Sequence, residues 1–373
     1  VARQSRIHGV PGLCRIVPLR TAVLRWPTLP PSLHGGPDDG PPVQWDFSTN
    51  SNPLGPLAPV AEAVAAAPRQ AYPEPGYRVL RERIAELHGV SPSQVIPAGS
   101  AGEWIWRFTL ALREAGGARR AWLPAPGYAE YGAAARALGI ECRPYDPRAI
   151  EPPGMAQGDL LWLCTPHNPT GSAFDAPTLS SWILRARSHG AEVVLDLAYA
   201  PLRFDGASLP HTATDAWQLW SPNKACGLTG VRGAYALAPA HRTDATEALR
   251  RFAPAWVMGA DGVAMVEAFA RPATQQLLAR QHGRHRDLRD SLAAALQARG
   301  WMVSDSVVPF VLARPPAPAD EAARWHAAWR AVGLKLRDAA SFGLPGWLRI
   351  AALPLAAQQR LLDTWDALHG DRR

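Results

Sequence analysis

From about residue 72 the apolar positions alternate between helical spacing and short unbroken runs. Val79, Leu80, Ile84 and Leu87 share one face of a helix predicted over Tyr77–His88, which Gly89 stops. A short strand, Gln94–Pro97, runs into the turn AGSAGE and an apolar helix around Trp104–Leu112. A strand at Ala121–Leu123, a helix over Tyr128–Leu138 and a strand at Ile140–Tyr145 follow. The runs DLLWLC (Asp159–Cys164) and EVVLD (Glu192–Asp196) are of the kind that parallel sheets bury on both faces, and a helical segment, Asp175–His189, separates them. Strand and helix in repeated alternation predict an α/β layer with its site at the carboxyl ends of the strands.

After Gly259 the rhythm changes. A long helical stretch to about Arg299 precedes apolar runs at Trp301–Ser304 and Pro309–Ala313, a helix near Asp320–Ala331, runs at Leu334–Arg337 and Leu348–Ala352, and a last helix. The expected organisation is a large α/β domain over 71–258 with a mostly parallel sheet and a smaller α+β domain over 259–373, which the N-terminal segment 34–70 joins and completes. Residues 1–33 lack periodicity and are rich in proline and arginine, so they read as a flexible extension.

Composition narrows the class. No window of the 373 residues approaches the roughly 18 apolar residues of a membrane span, so no membrane partner is expected. Cys14, Cys142, Cys164 and Cys226 show neither CxxC spacing nor a histidine cluster, which excludes a zinc ribbon or disulfide scaffold and suits a reducing, cytoplasmic setting. The net charge of +7 is concentrated: residues 1–37 hold five arginines and no acid, leaving +2 for the rest. A basic face for nucleic acid is therefore not expected. Only Lys224 and Lys335 are lysines among 39 basic residues, which singles both out for chemistry that a permanently charged guanidinium cannot do.

Four segments carry candidate chemistry. In SPNKACGLTGVRGAY, after the apolar Trp217–Trp220, Ser221 and Lys224 precede Arg232, an amine and an anion clamp in one loop; taken alone the segment reads better as a solvated surface loop, and the rarity of lysine moves it towards function. Asp196 ends a strand three residues before Tyr199, and either caps the next segment or faces a cleft where it holds a ring nitrogen protonated. Asn168 in TPHNPTG suits a turn. Gly99, Ser100, Ala101 and Gly102, between strand and helix, can aim backbone amides at a phosphate.

Taken in order, NPLGP at 52–56, YPEPGY at 72–77, the turn at 99–103, PAPGYAEY at 124–131, NPTG at 168–171, Asp196 with Tyr199, Ser221 with Lys224, Arg232 and Leu348-Arg349 resemble fold-type I, pyridoxal-phosphate-dependent enzymes of the aspartate aminotransferase superfamily over residues 34–368. The resemblance implies that Lys224 forms a Schiff base with the cofactor and shuttles protons, and that Asp196 pairs with its ring nitrogen. It implies that Asn168 and Tyr199 bond the ring oxygen and that Tyr128 stacks on the ring. Ala101, Gly102, Ser221 and Arg232 would hold the cofactor phosphate, with Tyr72 arriving from the second subunit of a homodimer. Arg349 would clamp the substrate carboxylate, assisted by Arg337. Leu197, where the family often has an acid, and Asn223, where it has Ser or Thr, remove no required role.

Within the superfamily, His34-Gly35-Gly36 followed by DFSTNSNPLG (46–55) resembles the threonine-phosphate decarboxylases of cobalamin biosynthesis, themselves similar to histidinol-phosphate aminotransferases. That resemblance implies a phosphorylated amino-acid substrate whose phosphate meets His34, Gly35 and Asn52. Transamination is the alternative reaction. A transcription regulator built on this fold is a third reading, but it needs a folded DNA-binding module that residues 1–33 do not resemble.

Overall fold

Runs such as LLWLC form strands because alternate side chains find separate apolar layers: Leu160 and Trp162 enter one hydrophobic cluster, Leu161 and Leu163 another. The computed structural model describes residues 34–369, so the extension expected over 1–33 lies outside the described residues. A two-residue strand β1 (Trp45–Asp46) comes first. A seven-stranded sheet follows, built from β2 (Val95–Ala98), β3 (Arg120–Pro124), β4 (Glu141–Tyr145), β5 (Leu160–Cys164), β6 (Glu192–Asp196), β7 (Trp217–Trp220) and β8 (Ala234–Leu237) in the order β2-β8-β7-β6-β5-β3-β4. Only β8 runs against its neighbours. Its amino end therefore lies at the edge where the other six strands have their carboxyl ends, which brings Arg232, two residues ahead of β8, to the same edge as the loops after β2, β3, β5, β6 and β7.

The helices are α1 (Ala58–Ala65), α2 (Arg78–His88), α3 (Ala101–Glu114), α4 (Ala129–Ala137), α5 (Ala176–Ser188), α6 (Thr243–Arg251), α7 (Ala260–Phe269), α8 (Pro272–Gln297), α9 (Ala322–Ala331) and α10 (Leu355–His369). Helices α3 and α4 cover one face of the sheet around Trp104, Trp162 and Trp217, and α5 covers the other through Leu179, Trp182 and Ile183. A four-stranded antiparallel sheet, β12 (Arg337–Asp338), β13 (Leu348–Ala351), β10 (Phe310–Arg314) and β9 (Met302–Val303), packs with α9 and α10 around Trp301, Trp325, Trp329 and Trp365. The run Leu334–Arg337 is divided: β11 (Leu334–Lys335) pairs in parallel with β1, while β12 joins the larger sheet. The long helical stretch is likewise divided, at Ala270–Arg271, with Pro272 opening α8 at a position where its missing N–H costs nothing.

The change of packing falls elsewhere than Gly259. Helix α7 packs with α1 and α2, and Met265, Val266 and Phe269 share a cluster with Leu57, Val60 and Leu80. Helix α8 places Leu278 in that cluster and Leu292 and Leu296 in the smaller lobe, so the transition lies within α8. The 34–70 segment splits too: Phe47 belongs to the smaller lobe, Leu57 and Val60 to the larger. No helix among the described residues is long and apolar enough to cross a membrane.

Candidate active site

The strand-end loops converge on a cavity of about 250 Å³ whose wall includes Ala101, Tyr128, Asn168, Asp196, Tyr199, Lys224, Arg232 and Arg349. These residues, far apart in sequence, meet because each follows a strand at the same sheet edge or, for Arg349, sits on β13 facing it. At the cavity floor the buried Asp196 receives the Tyr131 phenol on Oδ2 at 2.5 Å and the Ala198 amide on Oδ1 at 3.0 Å. Burial pushes the Asp196 pKa up, against the pull of Tyr131, Ala198 and Lys224. Burial also pushes Lys224 below the usual lysine range, opposed by the attraction of Asp196 and assisted by Arg232. The Lys224 ammonium lies 5.5 Å from the centre of the Tyr199 ring. A lysine whose proton is weakly held, opposite a buried acid, is an amine prepared for carbonyl chemistry.

The loop that carries Lys224 is buttressed by residues 52–57. The Asn52 amide donates to Lys224 O at 2.9 Å and the Leu57 amide to Cys226 O at 3.0 Å. Gly227, at φ 70°, lies so close to Gly55 that an added Cβ would stand 2.6 Å from Gly55 O. Asn52, expected at the substrate phosphate, is held within this packing. Its side chain donates to Ala225 O and Gln281 Oε1, and its Oδ1 accepts from the Leu54 amide and meets His285 Nε2 at 3.0 Å. With its amide engaged inside the packing, Asn52 supports the lysine loop and is not among the residues on the cavity wall. Asn50 lines the cavity instead, and both polar atoms of its buried side chain have no hydrogen-bond partner.

On the opposite wall Arg349 is buried, with Nη1 donating to Asn168 Oδ1 and Nη2 to Ser48 O, each at 2.7 Å. Its Nε is buried without a partner. His34 and Gly35 complete that side, together with Ser48 and Thr49. Arg337 is the register partner of Arg349 but stands off the wall, stacked 5.1 Å from the Phe342 ring centre and donating to Ser341 Oγ. Burial, then the neighbouring Arg349, brings its pKa down to about 10. Ser221 is buried and donates to Asn223 Oδ1 at 3.0 Å, while Asn223 itself lies on the wall. Gly102 follows Ala101 in the first turn of α3, whose leading amides have no partner within the helix. Tyr72 is remote, 76% exposed and stacked on Trp256 at 4.3 Å over a separate groove of about 400 Å³.

Tyr131 is the contact that sequence reading missed, although a signal was there: it follows Tyr128 by one helical turn, on the same face of α4. Asn50, Ser48, Thr49, Thr229 and Cys164 also line the cavity. They come from irregular segments or a strand end, where spacing does not tell which side chain turns inward.

The family profile "Aminotransferase class I and II" matches residues 42–364. The chain belongs to that family. This family member is 30% identical over 316 residues, 82% of its length and 83% of the relative's, to the histidinol-phosphate aminotransferase of Paracoccus denitrificans. It is 29% identical to the threonine-phosphate decarboxylase of Salmonella typhimurium over 204 residues, 51% of this chain and 55% of that one. Its fold is that of the L-threonine-O-3-phosphate decarboxylase of Porphyromonas gingivalis, with a TM-score of 0.76 over 87% of this chain and 99% of the other at 21% identity. Enzymes of this family work with pyridoxal 5′-phosphate, and the donor set fits it: an amine in Lys224, a buried acid in Asp196, helix-start amides with Arg232, and the unpartnered amide of Asn50.

Proposed function

We propose that this chain decarboxylates L-threonine O-3-phosphate, releasing CO2 and (R)-1-amino-2-propanol phosphate, the side-chain linker of cobalamin. The observation that carries this reading is the seating of His34 and Gly35 in the cavity wall beside Arg349. An added Cβ on Gly35 would overlap Ser48 O and crowd Arg349 Nη2 at 3.3 Å. A substrate with two anionic groups needs two donor sets close together. Arg349 offers a guanidinium for the carboxylate, and the His34–Gly35 segment offers an imidazole and backbone for the phosphate.

Bound pyridoxal 5′-phosphate supplies the conjugated system that accepts the electron pair of the broken bond. Lys224, Asp196, Asn168, Tyr199, Tyr128, Ala101, Gly102, Ser221 and Arg232 would hold it, with Asp196 facing its ring nitrogen as a carboxylate. Arg349 fixes the carboxylate to be lost, and geometry rather than acid strength selects which bond at the α-carbon breaks. CO2 departs with the carboxyl carbon, and the ammonium of Lys224 returns one proton to the α-carbon. Tyr72, exposed over its own groove, would reach the cavity of a second copy in a homodimer. The unbridged Cys142, Cys164 and Cys226 suit the cytoplasmic setting proposed for it.

Transamination of histidinol phosphate is the second reading, favoured by the longer match to the Paracoccus denitrificans relative. The two separate in one assay on the cofactor-loaded protein. Carboxyl-labelled threonine phosphate should release labelled CO2 with no oxo acid present. Turnover of histidinol phosphate that requires 2-oxoglutarate, with no CO2 from threonine phosphate, replaces the first reading by the second. Borohydride reduction should fix the cofactor on Lys224 under either.

A further inference from the structure

Lys335, one of two lysines in the chain, is not on the cavity wall and has no part in the chemistry above. Its ammonium instead donates to Gly36 O and pairs with Asp38 Oδ2 at 2.6 Å, while Arg330 Nη2 takes Asp38 Oδ1 at 2.5 Å. Gly36 is thereby held at both ends, because its amide donates to Ser48 Oγ at 2.9 Å. Ser48 is fixed in turn: its hydroxyl and amide both donate to Asp46 Oδ1, and its carbonyl takes Arg349 Nη2. At the other end of the segment, His34 Nε2 lies 3.3 Å from Glu130 Oε1, with its ring 5.9 Å from that of Tyr128. Residues 34–38 thus run from α4 of the larger lobe to β11 of the smaller one, and His34 and Gly35 at its start are cavity wall.

We propose that Lys335, with Arg330, closes an ion-pair clasp on Asp38 that holds the His34–Gly36 segment in place, making Lys335 a positioning residue for the side-chain anion of the substrate. The substrate named in that statement rests on the function proposed above; the clasp itself does not. The clasp adds to the Gly36–Ser48 hydrogen bond and the His34–Glu130 contact, and it is the point at which the segment is tied to β11. Asp38 is 49% exposed, whereas Lys335 is 14% and Arg330 21% exposed, so the smaller lobe presents a fixed cationic seat and the segment brings the movable acid. Gly35 and Gly36 lack side chains that could anchor them by packing, and Gly36 adopts φ 100°, where any other residue is strained. A half-exposed ion pair is screened by salt, so the clasp should loosen as ionic strength rises.

The test uses the cofactor-loaded enzyme with Lys335→Met, which keeps the apolar stem and removes the charge, and Lys335→Arg, which keeps the charge. Two readouts are taken: amide hydrogen exchange of Gly35, Gly36 and Asp38, and kcat and KM for threonine phosphate. In Lys335→Met exchange should speed up and KM rise by about tenfold or more, with kcat changed by less than about threefold and the cofactor spectrum unaltered. Lys335→Arg should restore most of both. Parental exchange and KM in Lys335→Met overturn the clasp. If threonine phosphate is not a substrate, the exchange measurement still decides the clasp, and only the proposed substrate falls.

Discussion

Tyr131 donates its phenolic proton to Asp196 Oδ2 at 2.5 Å, and the same ring stacks on Trp162 at 4.6 Å. The stack fixes the direction of the hydroxyl, so the hydrogen bond does not depend on any bound molecule. Asp196 is buried at the end of β6 with its proton affinity raised by desolvation; the Tyr131 bond is the largest influence keeping it anionic. The residue that the family resemblance assigns to a ring nitrogen therefore has a built-in support of its own.

Tyr131→Phe keeps the stack and removes the donor. Asp196 should then bind its proton more readily, because one of two hydrogen bonds to its anionic form is gone. A hydrogen bond to a charged group is worth roughly 1.5–3 kcal/mol, so kcat/KM should fall about ten- to hundredfold, with the acid limb of the pH profile moved upward. An unchanged limb would show that Asp196 does not govern it.

Asn50 and Asn52 should separate function from stability. Asn52→Ala leaves His285, Gln281 and two backbone groups without a buried partner and should cost about 2–4 kcal/mol in chemical denaturation. Asn50→Ala gives up at most its interaction with the Tyr199 hydroxyl, so stability should stay within about 1 kcal/mol while cofactor or substrate affinity falls. The reverse pattern would restore Asn52 to ligand binding.

Two residues in one irregular stretch show what the chain discloses and what it hides. The alternating strands and helices were legible because apolar periodicity is a property of the whole element, and Lys224 and Asp196 stood out by rarity and by place at a strand end. Asn50 and Asn52 both sit outside any helix or strand, where no period assigns a face, and only the packing against His285 and Gln281 turns Asn52 inward. Strands of two residues, such as β1, β11 and β12, carry too few positions for a pattern. The antiparallel β8 is a run of four residues directly after the glycine-containing Lys224 loop, too short for its apolar pattern to stand apart from that loop.

Gly227→Ala tests the buttress under the lysine loop. The backbone at φ 70° disfavours any side chain, and the Cβ would meet Gly55 O, Gly55 C and Pro56 N within 2.8 Å, all backbone atoms that cannot swing away. We expect a loss of about 1–3 kcal/mol in stability and weaker retention of the cofactor on Lys224, measured by the visible band after dialysis. Parental stability and full retention would mean that the two loops part without consequence for the site.

Stability should fall with acid in a defined window. His167 is buried, its Nε2 lying 3.0 Å from Pro126 O and its Nδ1 2.8 Å from Thr170 Oγ1. A carbonyl can only accept, so Nε2 carries the hydrogen and a neutral ring satisfies both partners. Burial pushes its pKa from 6.5 down to about 4, and it does the same to His285. Between those values the unfolded chain binds protons that the folded chain refuses, so stability decreases as pH falls from about 6.5 towards 4 and these groups add no slope below that. Each histidine contributes up to about 1.4 kcal/mol per pH unit. Urea denaturation at pH 7 and pH 5 measures the slope, and His167→Asn should reduce it by about one proton's worth. A variant with the parental slope would place the proton uptake on other groups.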